Sequence, residues 1–262
     1  MSAAPVLAAQ DAPLLSVRGI SYSFGGVHAV VDVSFSAPAG QITGLIGPNG
    51  AGKSTTLGIV AGSIKSATGT VVFAGLDVTK LPSYRRARLG MIRTFQMRGE
   101  FDHLTVLENL LVAAPGQLGE RISNIYSVRR TWRRQQRDLV DQARELLDQF
   151  GILSHENAYA TELSGGQRRL MELARALMTQ PRLLLLDEPM AGVSPALRGR
   201  LGEHLLEAAD SGIAIVLVEH ELQFVEQVCG HVLVLAQGTV IGGGTMSDLR
   251  EQAAVLDAYL TG

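Results

Sequence analysis

Two stretches near the start of the chain, Leu15-Ser16-Val17-Arg18-Gly19-Ile20 and Val31-Asp32-Val33-Ser34-Phe35-Ser36, alternate apolar with polar or small residues. That period of two predicts half-buried antiparallel strands. Between them Tyr22-Ser23-Phe24-Gly25-Gly26 reads as a turn carrying two aromatics. Gln41-Ile42-Thr43-Gly44-Leu45-Ile46 is a short, mostly apolar run that stops at a glycine-rich loop, and a helix-competent segment starts near Lys53. The order is strand, loop, helix. From 102 to 160 long helical patterns replace short strands, as in 139–150, which predicts a helical lobe inserted into an α/β core. Beyond it a helix over 167–178, a strand over 183–186, a helix over 195–209 and a strand over 213–218 alternate as in a parallel α/β sheet.

Composition narrows this picture. The chain has 262 residues, 46% hydrophobic and 18% charged, the profile of a globular α/β core rather than a disordered or fibrous chain. Twenty-three basic against 25 acidic side chains leave a net charge of −2, so no global basic field holds nucleic acid or anionic lipid, and nucleic acid is not an expected partner. The single Cys229 has no partner for an internal disulfide and no neighbours for a zinc site, which suits a reducing compartment. Residues 1–13 carry no basic start and no sustained apolar run, so they read as a mobile N-terminus rather than a signal peptide. Apolar runs such as 213–218 are strand-sized, far below the roughly 18 residues that suggest a spanning helix.

The chemistry enters at the glycine-rich loop. Gly47-Pro48-Asn49-Gly50-Ala51-Gly52-Lys53-Ser54-Thr55 matches the phosphate-loop pattern, between the strand and the helix that the pattern requires. Its glycines let backbone N–H groups turn toward phosphates, and the helix N-terminus adds partial positive charge. Lys53 is expected as an exposed cation reaching the β- and γ-phosphates, and the Ser54 hydroxyl as a ligand of Mg²⁺. Leu183-Leu184-Leu185-Leu186-Asp187-Glu188 is a buried strand ending in two acids. Asp187 can hold the magnesium and Glu188 can polarise an attacking water. Leu163-Ser164-Gly165-Gly166-Gln167 opens the helix that precedes that strand, with an N-cap serine and glycines that permit close approach, a second anion-binding helix terminus.

The phosphate loop, Gln96, the Leu163 to Gln167 pentapeptide, Asp187-Glu188 and His220, in this order, resemble the ATP-binding subunit of ABC transporters over nearly the whole chain. The resemblance implies a P-loop NTPase core of that type with an N-terminal antiparallel β subdomain and an inserted helical subdomain. The ATPase domain would span 14–262, with 14–98 and 161–262 as core and 99–160 as helical subdomain. It implies ATP and Mg²⁺ as cofactors and a head-to-tail dimer. The phosphate loop of one subunit would hold the nucleotide against Ser164, Gly165, Gly166 and Gln167 of the other. Gln96 would sense Mg²⁺ and the attacking water, and His220 would contact the γ-phosphate. Phe24 resembles the aromatic on which adenine stacks, with Tyr22, read on the alternate face of the strand, as its rival. Ser194 stands where many relatives carry aspartate.

Phe24-Gly25-Gly26-Val27, Arg93-Thr94-Phe95-Gln96, Leu104-Thr105-Val106-Leu107-Glu108-Asn109, Val218-Glu219-His220-Glu221 and Asp257-Ala258-Tyr259-Leu260 are most similar to the ATPases of branched-chain amino acid and amide importers. The implied partners are two permease subunits, a second, non-identical ATPase and, indirectly, an extracytoplasmic binding protein, with the chain peripheral on the cytoplasmic face of the membrane. The alternatives are the motor of a lipopolysaccharide-type exporter and a soluble ABC ATPase. Residues 98–101 are the candidates for permease contact. Arg129, Arg130, Arg133, Arg134 and Arg137 read first as a solvated helix face.

Overall fold

In the computed structural model of the chain, residues 12–94, 101, 103–118 and 129–252 are described. Gln96, residues 98–100, most of the 1–13 segment and the 257–260 motif lie outside the described residues.

The first half runs β1 (Leu15–Phe24), β2 (Val27–Ala37), β3 (Ile42–Ile46), α1 (Lys53–Ala61), β4 (Thr68–Phe73), β5 (Leu76–Asp77), α2 (Ser83–Arg88) and β6 (Met91–Arg93). It continues as α3 (Val106–Ala113), α4 (Arg129–Gln149), α5 (Gly165–Met178), β7 (Leu183–Asp187), α6 (Pro195–Asp210), β8 (Ala214–Val218), α7 (Leu222–Val228), β9 (His231–Ala236), β10 (Thr239–Gly244) and α8 (Met246–Arg250). The predicted alternation of helix and strand after the helical lobe is present, with ends shifted by a few residues. One expectation is corrected: Tyr22, Ser23 and Phe24 belong to β1, and only Gly25 and Gly26 form the turn, both at positive φ. Paired glycines free of Cβ strain close a two-residue hairpin, which lets the strand run on through the aromatics.

Two sheets form. A four-stranded antiparallel sheet has the order β2-β1-β4-β5, and a six-stranded sheet has the order β10-β9-β3-β8-β7-β6, parallel except for β10. The large sheet is the middle layer, and β7 shows why its strands read as continuous apolar runs. Leu183 and Leu185 face the small sheet and α1, while Leu184 and Leu186 face the helices. A strand covered on both faces has no polar alternation to keep. Each buried leucine contributes about 1.5–3 kcal/mol, which anchors the register and so the place where the chain emerges at Asp187. The helical layer is built on α5, against which α3 and α4 pack.

α3 starts at a capping box. The Thr105 hydroxyl accepts from the Glu108 N–H, and the Glu108 carboxylate accepts from the Thr105 N–H. Buried Asn109 donates to the carbonyls of Phe101, Leu104 and Thr105 and accepts from Arg175 of α5 at 3.2 Å. The Leu104 to Asn109 motif therefore ties the start of the helical lobe to α5.

Candidate nucleotide site

The parallel strands β3, β8, β7 and β6 lie side by side and deliver their following loops to one edge, where open α/β sheets bind ligands. The loop after β3 carries residues 47–52, the end of β7 carries Asp187 and Glu188, the end of β8 leads to His220, and β6 ends at Arg93.

Within the phosphate loop two glycines are dictated by neighbours. Gly47 has φ +147°, and a Cβ there would stand 2.0 Å from the Leu235 carbonyl oxygen. Gly52 has φ +97°, and its Cβ would stand 2.3 Å from the Ala29 carbonyl oxygen. The loop is thus wedged between the large sheet and β2, and only glycine fits. Lys53 is 6% exposed, which corrects the expectation of an exposed cation. Its ammonium donates to the carbonyls of Gly47 at 2.8 Å and Pro48 at 2.9 Å, so it braces the loop from within. Burial lowers its pKa, against the opposing pull of Glu188 and Asp187.

Ser54, at the second position of α1, donates its hydroxyl to Asp187 Oδ1 at 3.1 Å. An alcohol and a carboxylate oxygen at hydrogen-bond distance are hard oxygen donors that suit Mg²⁺, so these two residues fit the ion that the motif implies. Asp187 also accepts from Arg93 Nη2 at 2.9 Å, and the same guanidinium reaches the Ser54 carbonyl at 3.5 Å and Ser63 Oγ at 3.3 Å. The sequence reading did not single out Arg93 for a role. Its available signal was a cation ending a strand that runs beside the aspartate strand.

Glu188 follows at φ +49°, a region uncommon for residues other than glycine, and its N–H donates to the Val218 carbonyl at 2.9 Å. His220 has a side chain 64% exposed, projecting from the turn after β8. The residue between strand and histidine, Glu219, is fully buried, a second feature that sequence reading left without a role.

Phe24 is 52% exposed at the hairpin tip. Tyr22 lies on the same side, not the alternate one: the rings meet edge to face with centroids 4.6 Å apart. Residues two apart share a strand face, so Tyr22 packs against the core and backs Phe24, which leaves Phe24 as the aromatic with an open surface.

Ser164 caps α5. Its hydroxyl accepts from the Gln167 N–H at 3.3 Å, and the Gln167 side chain accepts from the Ser164 N–H at 3.0 Å. Two members of the pentapeptide thus use their side chains on the helix itself. Gly165 and Gly166 form the first turn, packed beside Gly192, Val193 and Leu197. Ser194 is the N-cap of α6, and its side chain makes no cap hydrogen bond.

A family model described as ABC transporter matches residues 30–191. The chain is 38% identical over 249 residues to the high-affinity branched-chain amino acid transport ATP-binding protein LivG of Escherichia coli, covering 95% of this chain and 98% of that one. It is 33% identical over 249 residues, with the same coverage, to the corresponding protein BraF of Pseudomonas aeruginosa. Among solved structures, a nucleotide-free ATP-binding cassette from an ABC transporter superposes with a TM-score of 0.80 at 32% identity, covering 94% of this chain and 98% of that one. The ADP conformation of an ATP-binding cassette of an ABC transporter gives the same score and identity, covering 95% of this chain and 99% of the other. With the phosphate loop, the paired acids and the capped glycine helix each in place on this fold, the chain belongs to the ABC transporter family and is one of its ATP-binding cassettes.

Proposed function

We propose that this chain is the ATP-hydrolysing subunit of an importer for branched-chain amino acids or related amides, working on the cytoplasmic face of the membrane with two permease subunits and a second ATPase. One observation carries the reading: a single sheet edge brings together the wedged phosphate loop with Lys53, the Ser54–Asp187 oxygen pair, Glu188 and His220. Likeness to the branched-chain amino acid proteins over almost the full length supports the substrate class.

In this reading residues 47–55 wrap the phosphates through backbone N–H groups, with Lys53 turning from the loop carbonyls to the β- and γ-phosphates. Phe24 stacks on the adenine. Ser54 and Asp187, with Gln96, would hold Mg²⁺, which would supply neutralising charge to the phosphates. Glu188 orients the attacking water and takes its proton, and His220 contacts the γ-phosphate. Ser164, Gly165, Gly166 and Gln167 of a second ATPase close over the same nucleotide from its other side. That arrangement explains why one chain carries two anion sites.

A groove of about 260 Å³ between the core and the helices is lined by Ile92, Thr94, Phe101, Val112, Ala113 and Arg175. We assign it to the permease. It opens beside Arg93, which holds the magnesium aspartate, so a permease segment seated there adjoins the site. Among the described residues no helix is long and apolar enough to cross a membrane, in keeping with attachment through such a partner.

The test is Glu188→Gln in the chain reconstituted with its permease in proteoliposomes. ATP binding persists, while ATP turnover and leucine uptake both fall at least about a hundredfold, since activation of water contributes 10²–10⁴. Turnover within threefold of wild type overturns the assignment of Glu188. Turnover without uptake of any branched-chain amino acid or amide overturns the substrate class.

A further inference from the structure

Glu219 is a carboxylate with no exposed surface, directly after β8, a strand made only of apolar residues. A buried charge is costly unless its oxygens are fully used, and an apolar side chain of similar volume would commonly be as stable or more so. Its oxygens are used in a specific way. Oε1 accepts from the backbone N–H of Met190 at 2.9 Å, and Oε2 accepts from the backbone N–H of His220 at 3.2 Å. These two N–H groups belong to different turns: Met190 lies two residues after Glu188, and His220 is the γ-phosphate candidate itself.

The turn at Glu188 needs such support. A non-glycine residue at φ +49° persists only where its surroundings over-determine it. The Glu188 N–H to Val218 carbonyl bond holds one side of the turn, and the Met190 N–H to Glu219 bond holds the other. Arg198 adds an outer tie between the same segments, donating through Nε to the Val193 carbonyl at 3.0 Å and pairing through Nη1 with Glu221.

We propose that Glu219 is a positioning residue for ATP hydrolysis, whose two oxygens bind the turn carrying Glu188 to the turn carrying His220 so that both side chains meet the nucleotide as one unit. The inference rests on the roles assigned above to Glu188 and His220. It also gives the 189–194 turn a route to His220 that does not pass through Ser194, whose side chain carries no charge. A movement of that turn imposed by a partner subunit reaches the histidine through Glu219 and through the Arg198–Glu221 pair.

The test uses Glu219→Gln, which keeps the shape and one acceptor but turns a donor toward one of the two N–H groups. In the complete transporter, kcat falls at least about tenfold while KM for ATP stays within threefold, because substrate is bound by other residues. Residue-resolved amide hydrogen exchange on the chain shows at least one of the Met190 and His220 amides, the one facing the new donor, exchanging at least about tenfold faster than in wild type. A kcat within twofold of wild type, a KM that rises in proportion to the loss, or unchanged exchange at both amides overturns the proposal. Should Glu219→Gln fail to fold, Arg198→Ala removes the outer tie from the surface. It is expected to lower kcat at least threefold at constant KM, and an unchanged kcat overturns the proposal equally. Glu188→Gln is assayed in parallel. Full turnover there overturns the site assignment itself, whereas loss there beside an intact Glu219→Gln overturns only the positioning role.

Discussion

Lys53 combines two jobs that its sequence motif does not separate. Its ammonium is the cation proposed for phosphate, and in this structure it satisfies the Gly47 and Pro48 carbonyls inside the loop. Lys53→Ala is therefore expected to cost stability even without ligand, since truncation leaves buried acceptors unpaired at roughly 1–3 kcal/mol. Mg-ATP at a hundred times Kd adds about 2.7 kcal/mol of stability to wild type by linkage and so raises its melting temperature, and the variant's melting temperature does not rise. An equal rise in both rules out the role in binding. Cys229 makes a contrasting case. Burial, with the Glu219 charge as a smaller cause, pushes its thiol up to about 12. At pH 8 a thiol-specific reagent should label the native chain at least about a hundredfold more slowly than the denatured chain, with one thiol appearing on unfolding because the chain has one cysteine. Rapid labelling of the native chain contradicts that burial.

At the scale of elements, one terminus of α5 stabilises the fold and is also the proposed contact with a partner's nucleotide. Its N-cap Ser164 and its N3 residue Gln167 bond reciprocally, so the side chains stabilise the helix at the end where its dipole is positive. Ser164→Arg is accordingly expected to have two effects. Loss of the cap lowers stability by about 1 kcal/mol, visible as a modestly lower melting temperature of the isolated chain. Occupation of the anion-accepting terminus by a bulky cation abolishes turnover in the assembled transporter, while equilibrium ATP binding to the single chain stays within twofold. Parallel loss of binding and turnover would mean that this helix serves its own subunit's nucleotide. The strand β7 makes a similar point from the other side: four leucines shared between two cores hold rigid the end from which Asp187 and Glu188 project.

For the molecule as a whole, the phosphate loop belongs to the large sheet and the capped glycines to the helical layer, and in the proposed reading assembly brings two cassettes together so that both meet one nucleotide. The expectation is a heterodimer of this chain with a different ATPase subunit, docked on two permeases. The resemblance around 93–109 and 218–222 points to systems with paired, non-identical ATPases. Ser194 adds a weak physical reason, since two copies of this chain would both lack a carboxylate there. Mass spectrometry of the complex captured through a tag on this chain in its native membrane decides the matter. Two permeases with two copies of this ATPase alone would refute the heterodimer, in line with the general preference for closed two-fold pairs.

Features made by neighbours along the chain were legible in the sequence. A glycine-rich loop between strand and helix, an apolar strand running into two acids, and a serine three residues before a glutamine at a helix start are local statements, because φ, period and capping depend on a few adjacent residues. Their order along the chain carried the family. What the sequence could not decide depends on residues far apart in it. Lys53 is buried because the loop is wedged between Ala29 and Leu235. Arg93 meets Asp187 because β6 and β7 are adjacent parallel strands, and no spacing encodes that adjacency. Tyr22 and Phe24 turn out to share one face because β1 runs on to a hairpin of only two glycines. Glu219 stood in the Val218 to Glu221 motif with no role of its own, and its meaning came only when folding set β8 beside β7. Their paired ends bring the Met190 and His220 N–H groups to the two oxygens of one buried carboxylate.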